Sequence, residues 1–314
     1  MKILVPVSQF HLGNTSEYVV RALLQMGHEA RIVTVPEFYQ ALLADTHDLY
    51  LCVDSGEPIS FFDPQISEVA LKKVAFWFID YRHNKDRETR KPTDRETVLE
   101  LSRRGGFVFQ SQSEDQEEMV SLEISKSAWL PLAADPEIWR DSPTDSQIEE
   151  KLYDIGFVGN VWDQGRAEIL QTLLQVRGIK VGFPGATIKE RVWKEDAAKI
   201  LRQSLVGFNV NSWFGTAQAY DVNMRVYETL SCGVPILTNE VPQLKKIFPE
   251  NAPYLRTYHD SQSLIRALPE IFNDQEFLHS GGLAREAILN GHTYIHRMKD
   301  LLDKYLRPQA ADSL

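Results

Sequence analysis

Two rhythms of apolar and polar positions alternate along this chain. Short apolar runs bounded by Gly, Pro, Asn or Asp are followed by longer stretches in which apolar residues recur three or four apart. The runs read as buried parallel strands and the longer stretches as the helices that cover them, so the fold class is α/β with parallel sheets. In the first half this pattern predicts strands at 2–7, 31–35, 48–53, 73–79 and 106–110, with helices at 16–26, stopped by Gly27, and at 93–104. A polar, acidic stretch at about 140–151 reads as the linker between two domains, 1–140 and 151–292. The second series has strands at 153–158, 180–183, 205–210, 234–237 and 254–258. Its helices fall at 164–176, 194–203, 224–231, 242–248 and 261–272, followed by a helical region over 275–306 that breaks near Gly291. Segment 293–306 carries Ile295, Met298, Leu301, Leu302 and Tyr305 at amphipathic spacing, which suits it to pack back on the first domain.

The segment Asn223 to Asn239, NMRVYETLSCGVPILTN, concentrates the candidate chemistry. A helix starts at its amino end, Gly233 suits a left-handed stop, and a buried strand follows. Arg225 and Glu228 lie three apart on one face near the helix start, where unpaired backbone N–H groups favour an anion. A guanidinium forks onto phosphate and a carboxylate accepts two hydroxyl hydrogen bonds, as from a ribose. The same spacing also describes a solvated ion pair, and spacing alone leaves both readings open.

In open α/β sheets ligands sit beyond the carboxyl ends of the strands, which directs attention to the loops there. Gly159-Asn160 follows a strand, and Arg166 stands where a cation would meet a phosphate; a plain strand-to-helix turn accounts for the same Gly-Asn pair. In the loop NVNSWFG, Asn211 and its neighbours offer amides for a nucleobase or, equally, a turn cap. Asp80, after the strand ending in WFID, and His11, in the loop after the first strand, are the candidates for a catalytic base. A helix cap and a surface histidine are the alternatives. The polar stretch 81–95 reads as a solvated loop or as a flap over an acceptor. No DxD pattern or His/Asp ligand set stands out, so no metal site is expected.

Composition narrows the partners. The chain has 314 residues, long enough for two cores, and its 43% apolar and 25% charged residues are ordinary for a globular protein. Its net charge of −10, from 44 acidic against 34 basic residues, disfavours non-specific binding to nucleic acid. Cys52 and Cys232 stand far apart in apolar contexts, so free thiols in a reducing compartment are expected. The start MKILVPV lacks the core of a signal peptide and no run of about 18 apolar residues could span a bilayer. A cytoplasmic protein is the expectation, with peripheral membrane attachment through a surface patch left open. Oligomeric state is not legible.

The clamp segment resembles the donor motif of glycosyltransferases with two facing Rossmann-like domains, the GT-B fold, and most closely their CgeB-like group. DIGFVGN with Arg166, FWFID, GGFVFQS, WLPLAADPEIWR and HTYIHRMKDLL are also similar, so the resemblance covers most of the chain. It implies two doubly wound domains facing across a cleft and a nucleoside-diphosphate sugar, of uridine type, as donor substrate without a separate cofactor. Gly159, Asn160, Arg166, Asn211, Asn223, Arg225 and Glu228 would bind this donor, and Asp80 or His11 would assist the acceptor. One departure stands out. Retaining members often carry a glutamate eight positions before the second one, and here that position is Tyr220, beside Asp221. A nucleotide-sugar-binding sensor and a sugar-nucleotide epimerase are the competing readings.

Overall fold

The computed structural model describes residues 1–7, 15–53, 63–79, 99–124, 126–142, 150–159, 161, 164–184, 192–211 and 221–306. They form two compact units, Met1–Pro131 with Tyr294–Leu314, and Leu132–Thr293. The division falls after Pro131, ahead of the stretch expected as linker.

The first unit holds strands β1 (Lys2–Val7), β2 (Glu29–Thr34), β3 (Leu49–Val53), β4 (Val74–Phe78), β5 (Phe107–Gln110) and β6 (Ser127–Trp129). They pair in parallel in the order β2-β1-β3-β4-β5-β6. β3 and β4 are buried at every position, as strands covered on both faces must be. The helix Thr15–Gln25 presents Tyr18, Val19, Ala22 and Leu23 to the core, and Gly27, at φ +83°, turns the chain toward β2. The last helix, Tyr294–Leu306, buries Tyr294, Met298, Leu301 and Leu302 in this unit. The Tyr294 ring lies 5.3 Å from that of Tyr18 and 6.3 Å from that of Trp77. Arg297 Nε donates to the Pro131 carbonyl at 2.8 Å.

Three described helices of this unit, Val35–Leu43, Glu68–Leu71 and Ser113–Ser121, escape the periodicity. Val35–Leu43 is capped by Thr34, whose hydroxyl accepts from the Glu37 N–H while the Glu37 carboxylate accepts from the Thr34 N–H. The spacing assigned nothing to this stretch.

The second unit holds β7 (Tyr153–Phe157), β8 (Val181–Gly182), β9 (Ser204–Asn209), β10 (Ile236–Asn239) and β11 (Leu255–Tyr258). All are parallel, in the order β11-β10-β9-β7-β8. Strand order reverses between β7 and β9, and such a reversal opens a crevice at the carboxyl ends of the two strands. The core is built from Ile155, Phe157, Leu173, Val206, Phe208, Leu237, Tyr258, Leu264 and Phe277. β10 starts at Ile236, two residues later than the apolar run. Pro235 has no N–H to give the ladder and contributes only its carbonyl, to Gly207 N at 2.8 Å.

Candidate functional site

The helix Met224–Ser231 has the bounds expected from the sequence. Asn223 caps it, its Oδ1 accepting from the Arg225 N–H at 3.0 Å. Val226, Tyr227 and Leu230 are buried, and Gly233, at φ +69°, ends the turn. The helix rides close to β9 because Gly207 lacks a side chain. A Cβ there would lie 2.2 Å from Thr229 Cγ2.

A buried ladder of amides fixes the start of this helix. Asn211 Oδ1 accepts from Asn209 Nδ2 at 2.9 Å and from the Asn223 N–H at 3.0 Å. Its Nδ2 donates to Thr238 Oγ1 at 3.0 Å and to the Asn239 carbonyl at 3.4 Å. Asn209 Nδ2 also reaches Thr238 Oγ1, at 2.9 Å, and Asn239 Nδ2 donates to the Asn211 carbonyl at 2.9 Å. Asn223 Nδ2 donates to the Val210 carbonyl at 3.3 Å. The sequence reading expects Asn211 and Asn223 at a donor nucleotide. In the structure both side chains make hydrogen bonds within the protein that place the helix.

Arg166 joins the same corner. It stands near the start of the helix Gln164–Leu174 that follows β7, and its Nη2 donates to the Val210 carbonyl at 3.1 Å. Val210 follows β9, so this bond reaches across the reversal point of strand order. Gly159 lies half-buried at the carboxyl end of β7. Gly159, Arg166 and the amino end of the clamp helix therefore belong to one end of the sheet. Asn160, Asp80, His11, Tyr220, the stretch 81–95 and the NVNSWFG loop beyond Asn211 lie outside the described residues.

Arg225 and Glu228 point the same way. Arg225 Nη1 lies 2.7 Å from Glu228 Oε2, with the arginine side chain 22% exposed and the glutamate 1% exposed. The pair is an ion contact without hydrogen-bond alignment, and neither Glu228 oxygen has a hydrogen-bond partner among the described residues. This is a buried acceptor with unmet capacity, so the solvated ion pair that the spacing allowed is not what forms. Burial pushes the Glu228 carboxyl up to about 7, outweighing the opposing pull of Arg225. The guanidinium also lies over the Trp139 ring, with Cζ 4.8 Å from the ring centroid. Sequence reasoning gave Trp139 no role, since no periodicity links it to the clamp helix.

A groove of about 620 Å³ beside the edge strand β11 is lined by Glu240, Lys245, Phe248, Arg256 and Glu276, among others, and by none of the residues above. Its two cations are paired locally, Lys245 with Glu240 at 3.3 Å and Arg256 with Asp274 at 2.8 Å. Among the described residues no three of His, Cys, Asp and Glu gather as a metal site, and no helix is long and apolar enough to cross a membrane.

Comparison with known proteins gives the family and the fold. Residues 146–303, half of the chain, match the family described as glycosyl transferase-like. No curated protein matches the sequence. HepE of Anabaena, solved in complex with UDP, is similar at a TM-score of 0.64 and 12% identity, over 96% of this chain and 99% of that one. Sucrose-phosphate synthase of Thermosynechococcus elongatus is similar at 0.64 and 12%, over 97% and 99%. BGT of T4 phage, solved with its UDP-glucose substrate, is similar at 0.56 and 14%, over 98% and 100%. At these identities the likeness is one of fold, two Rossmann-like domains of GT-B type. With half its length matched by the family, the chain belongs to the glycosyl transferase-like proteins and is a glycosyltransferase.

Proposed function

We propose that this glycosyltransferase takes its sugar from a nucleoside diphosphate donor, uridine diphosphate foremost, held at the amino end of the helix Met224–Ser231 without a metal. The observation that carries this reading is Glu228, a buried carboxylate whose two oxygens have no hydrogen-bond partner among the described residues, beside a guanidinium. A buried acceptor left unmet costs about 1–3 kcal/mol. The two hydroxyls of a ribose would satisfy both oxygens, and Arg225, released toward the diphosphate, would exchange one anion for another. HepE in complex with UDP and BGT with UDP-glucose support uridine as the base. The segment Asn223 to Asn239 supports the CgeB-like group in particular.

In the reaction the bond from the anomeric carbon to the β-phosphate oxygen breaks, and its electron pair leaves with the diphosphate. A bond forms from that carbon to an acceptor hydroxyl, whose proton passes to Asp80 or His11 of the first unit. Arg225 and Arg166 stabilise the growing charge on the diphosphate, the task a metal performs elsewhere. Gly159 and Asn160 are assigned to the phosphates, while Asn211 and Asn223 act by fixing the helix. The test is thermal denaturation with nucleotides in the presence of EDTA. UDP at 100 times its dissociation constant is expected to add about 2.7 kcal/mol, and Arg225→Ala to abolish most of the shift. Absence of a shift with UDP, GDP and dTDP alike would refute the reading, and a shift that EDTA removes would refute metal independence.

A further inference from the structure

Trp139 ends the segment WLPLAADPEIW, which begins at the last residue of β6. Its ring is 2% exposed and packs with Val158, Ala197, Ala198, Leu201, Cys232 and Val234. Its backbone is tied down independently. The N–H donates to the Asp135 carbonyl at 2.9 Å, and the carbonyl accepts from Ser231 Oγ and from Arg285 Nη1, the latter at 3.3 Å. Ser231 closes the clamp helix, and Arg285 lies on the helix Gly281–Gly291. The indole is thus held to the same helix whose second residue, Arg225, lies over its face.

The choice of tryptophan is informative. A buried indole ordinarily uses its N–H, yet Trp139 Nε1 is buried with no hydrogen-bond partner among the described residues. For packing alone a Phe or Leu would fill the space without a buried donor left over. What the indole offers beyond them is the strongest π face for a cation, and the guanidinium sits within its range at 4.8 Å. Arg225 is therefore held between two groups, the ring on one side and the Glu228 carboxylate on the other. When a ribose takes the carboxylate, the ring remains to keep the guanidinium from swinging into solvent.

We infer that Trp139 is a positioning residue for donor binding, its ring keeping Arg225 aimed at the diphosphate once Glu228 has turned to the ribose. The inference rests on the donor site proposed above. It explains why a segment distant in sequence is anchored to the clamp helix by the hydrogen bond from Ser231 Oγ to the Trp139 carbonyl.

A double-mutant cycle read by calorimetric titration of UDP into the full chain tests it. Trp139→Leu is expected to weaken UDP about tenfold and Trp139→Phe about threefold, following the strength of the ring as a cation platform. In an Arg225→Ala background neither substitution should change the affinity further. Melting temperatures accompany each titration, and Trp139→Phe keeps the test available if the leucine variant does not fold. Two results would overturn the inference while leaving the donor site standing: wild-type affinity in both Trp139 variants, or an equal loss in the Arg225→Ala background. Failure of the wild-type chain to bind any nucleoside diphosphate would overturn both.

Discussion

Replacing Glu228 by Gln separates what stabilises the fold from what serves the ligand. The folded chain holds the Glu228 proton up to about pH 7, because burial opposes the charge, whereas the ordinary value is 4.5. Between those values the folded state carries a proton that the unfolded chain has released. Stability therefore falls as pH rises through this window, and the whole penalty stands above pH 7. The gap corresponds to about 3 kcal/mol. Gln keeps the shape and removes the charge, at a cost of about 1 kcal/mol for an amide N–H without a partner. The variant should thus be about 2 kcal/mol more stable than wild type at pH 8, a rise in Tm of roughly 4–8 °C for a unit of this size. At pH 5 the advantage should vanish, since wild-type Glu228 is then protonated when folded. Thermal melts of both proteins at pH 5, 6, 7 and 8 provide the assay, with every other titrating group common to the two. A variant less stable at pH 8, or a difference constant across pH, would refute the reasoning. The same variant should bind UDP more weakly, so the carboxylate is retained at the expense of stability.

Gly207→Ala should cost about 1–3 kcal/mol in urea denaturation, because the new methyl meets Thr229 Cγ2 and lifts the clamp helix. Adding Thr229→Ser removes that methyl and should restore most of the loss; no restoration would mean that the strand rather than the helix contact is at fault. Thr238→Val takes the shared acceptor away from the side-chain amides of Asn209 and Asn211. Unfolding free energy should fall by about 1–3 kcal/mol and UDP affinity with it, whereas unchanged affinity would disconnect the amide ladder from the site.

Local chemistry made much of the fold legible. β1 is a lysine followed by the apolar run Ile3–Val7 and then Ser8, and the clamp helix runs between an Asn cap and a left-handed Gly, so both have the bounds their letters suggest. Helix Val35–Leu43 was missed because Pro36 reads as a break, although Pro is tolerated in a first turn and Thr34 with Glu37 spells a capping box. The site was legible only in part. Spacing placed Arg225 and Glu228 on one face, but burial depends on side chains from other elements, and nothing periodic connects Trp139 to Arg225. Asn211 and Asn223 show the same limit from the other side. The letters do not reveal the ladder in which they take part, because it depends on where Thr238 and Asn239 lie.

The account stands most directly on where a nucleotide binds, and a crystal structure of the protein with UDP measures that. Both ribose hydroxyls should lie about 2.5–3.0 Å from the Glu228 carboxylate oxygens, with the Arg225 guanidinium moved from that carboxylate onto the diphosphate and still over the Trp139 ring. A uridine nucleotide bound away from the helix Met224–Ser231, or a Glu228 still paired to Arg225 with the ribose turned elsewhere, would contradict it.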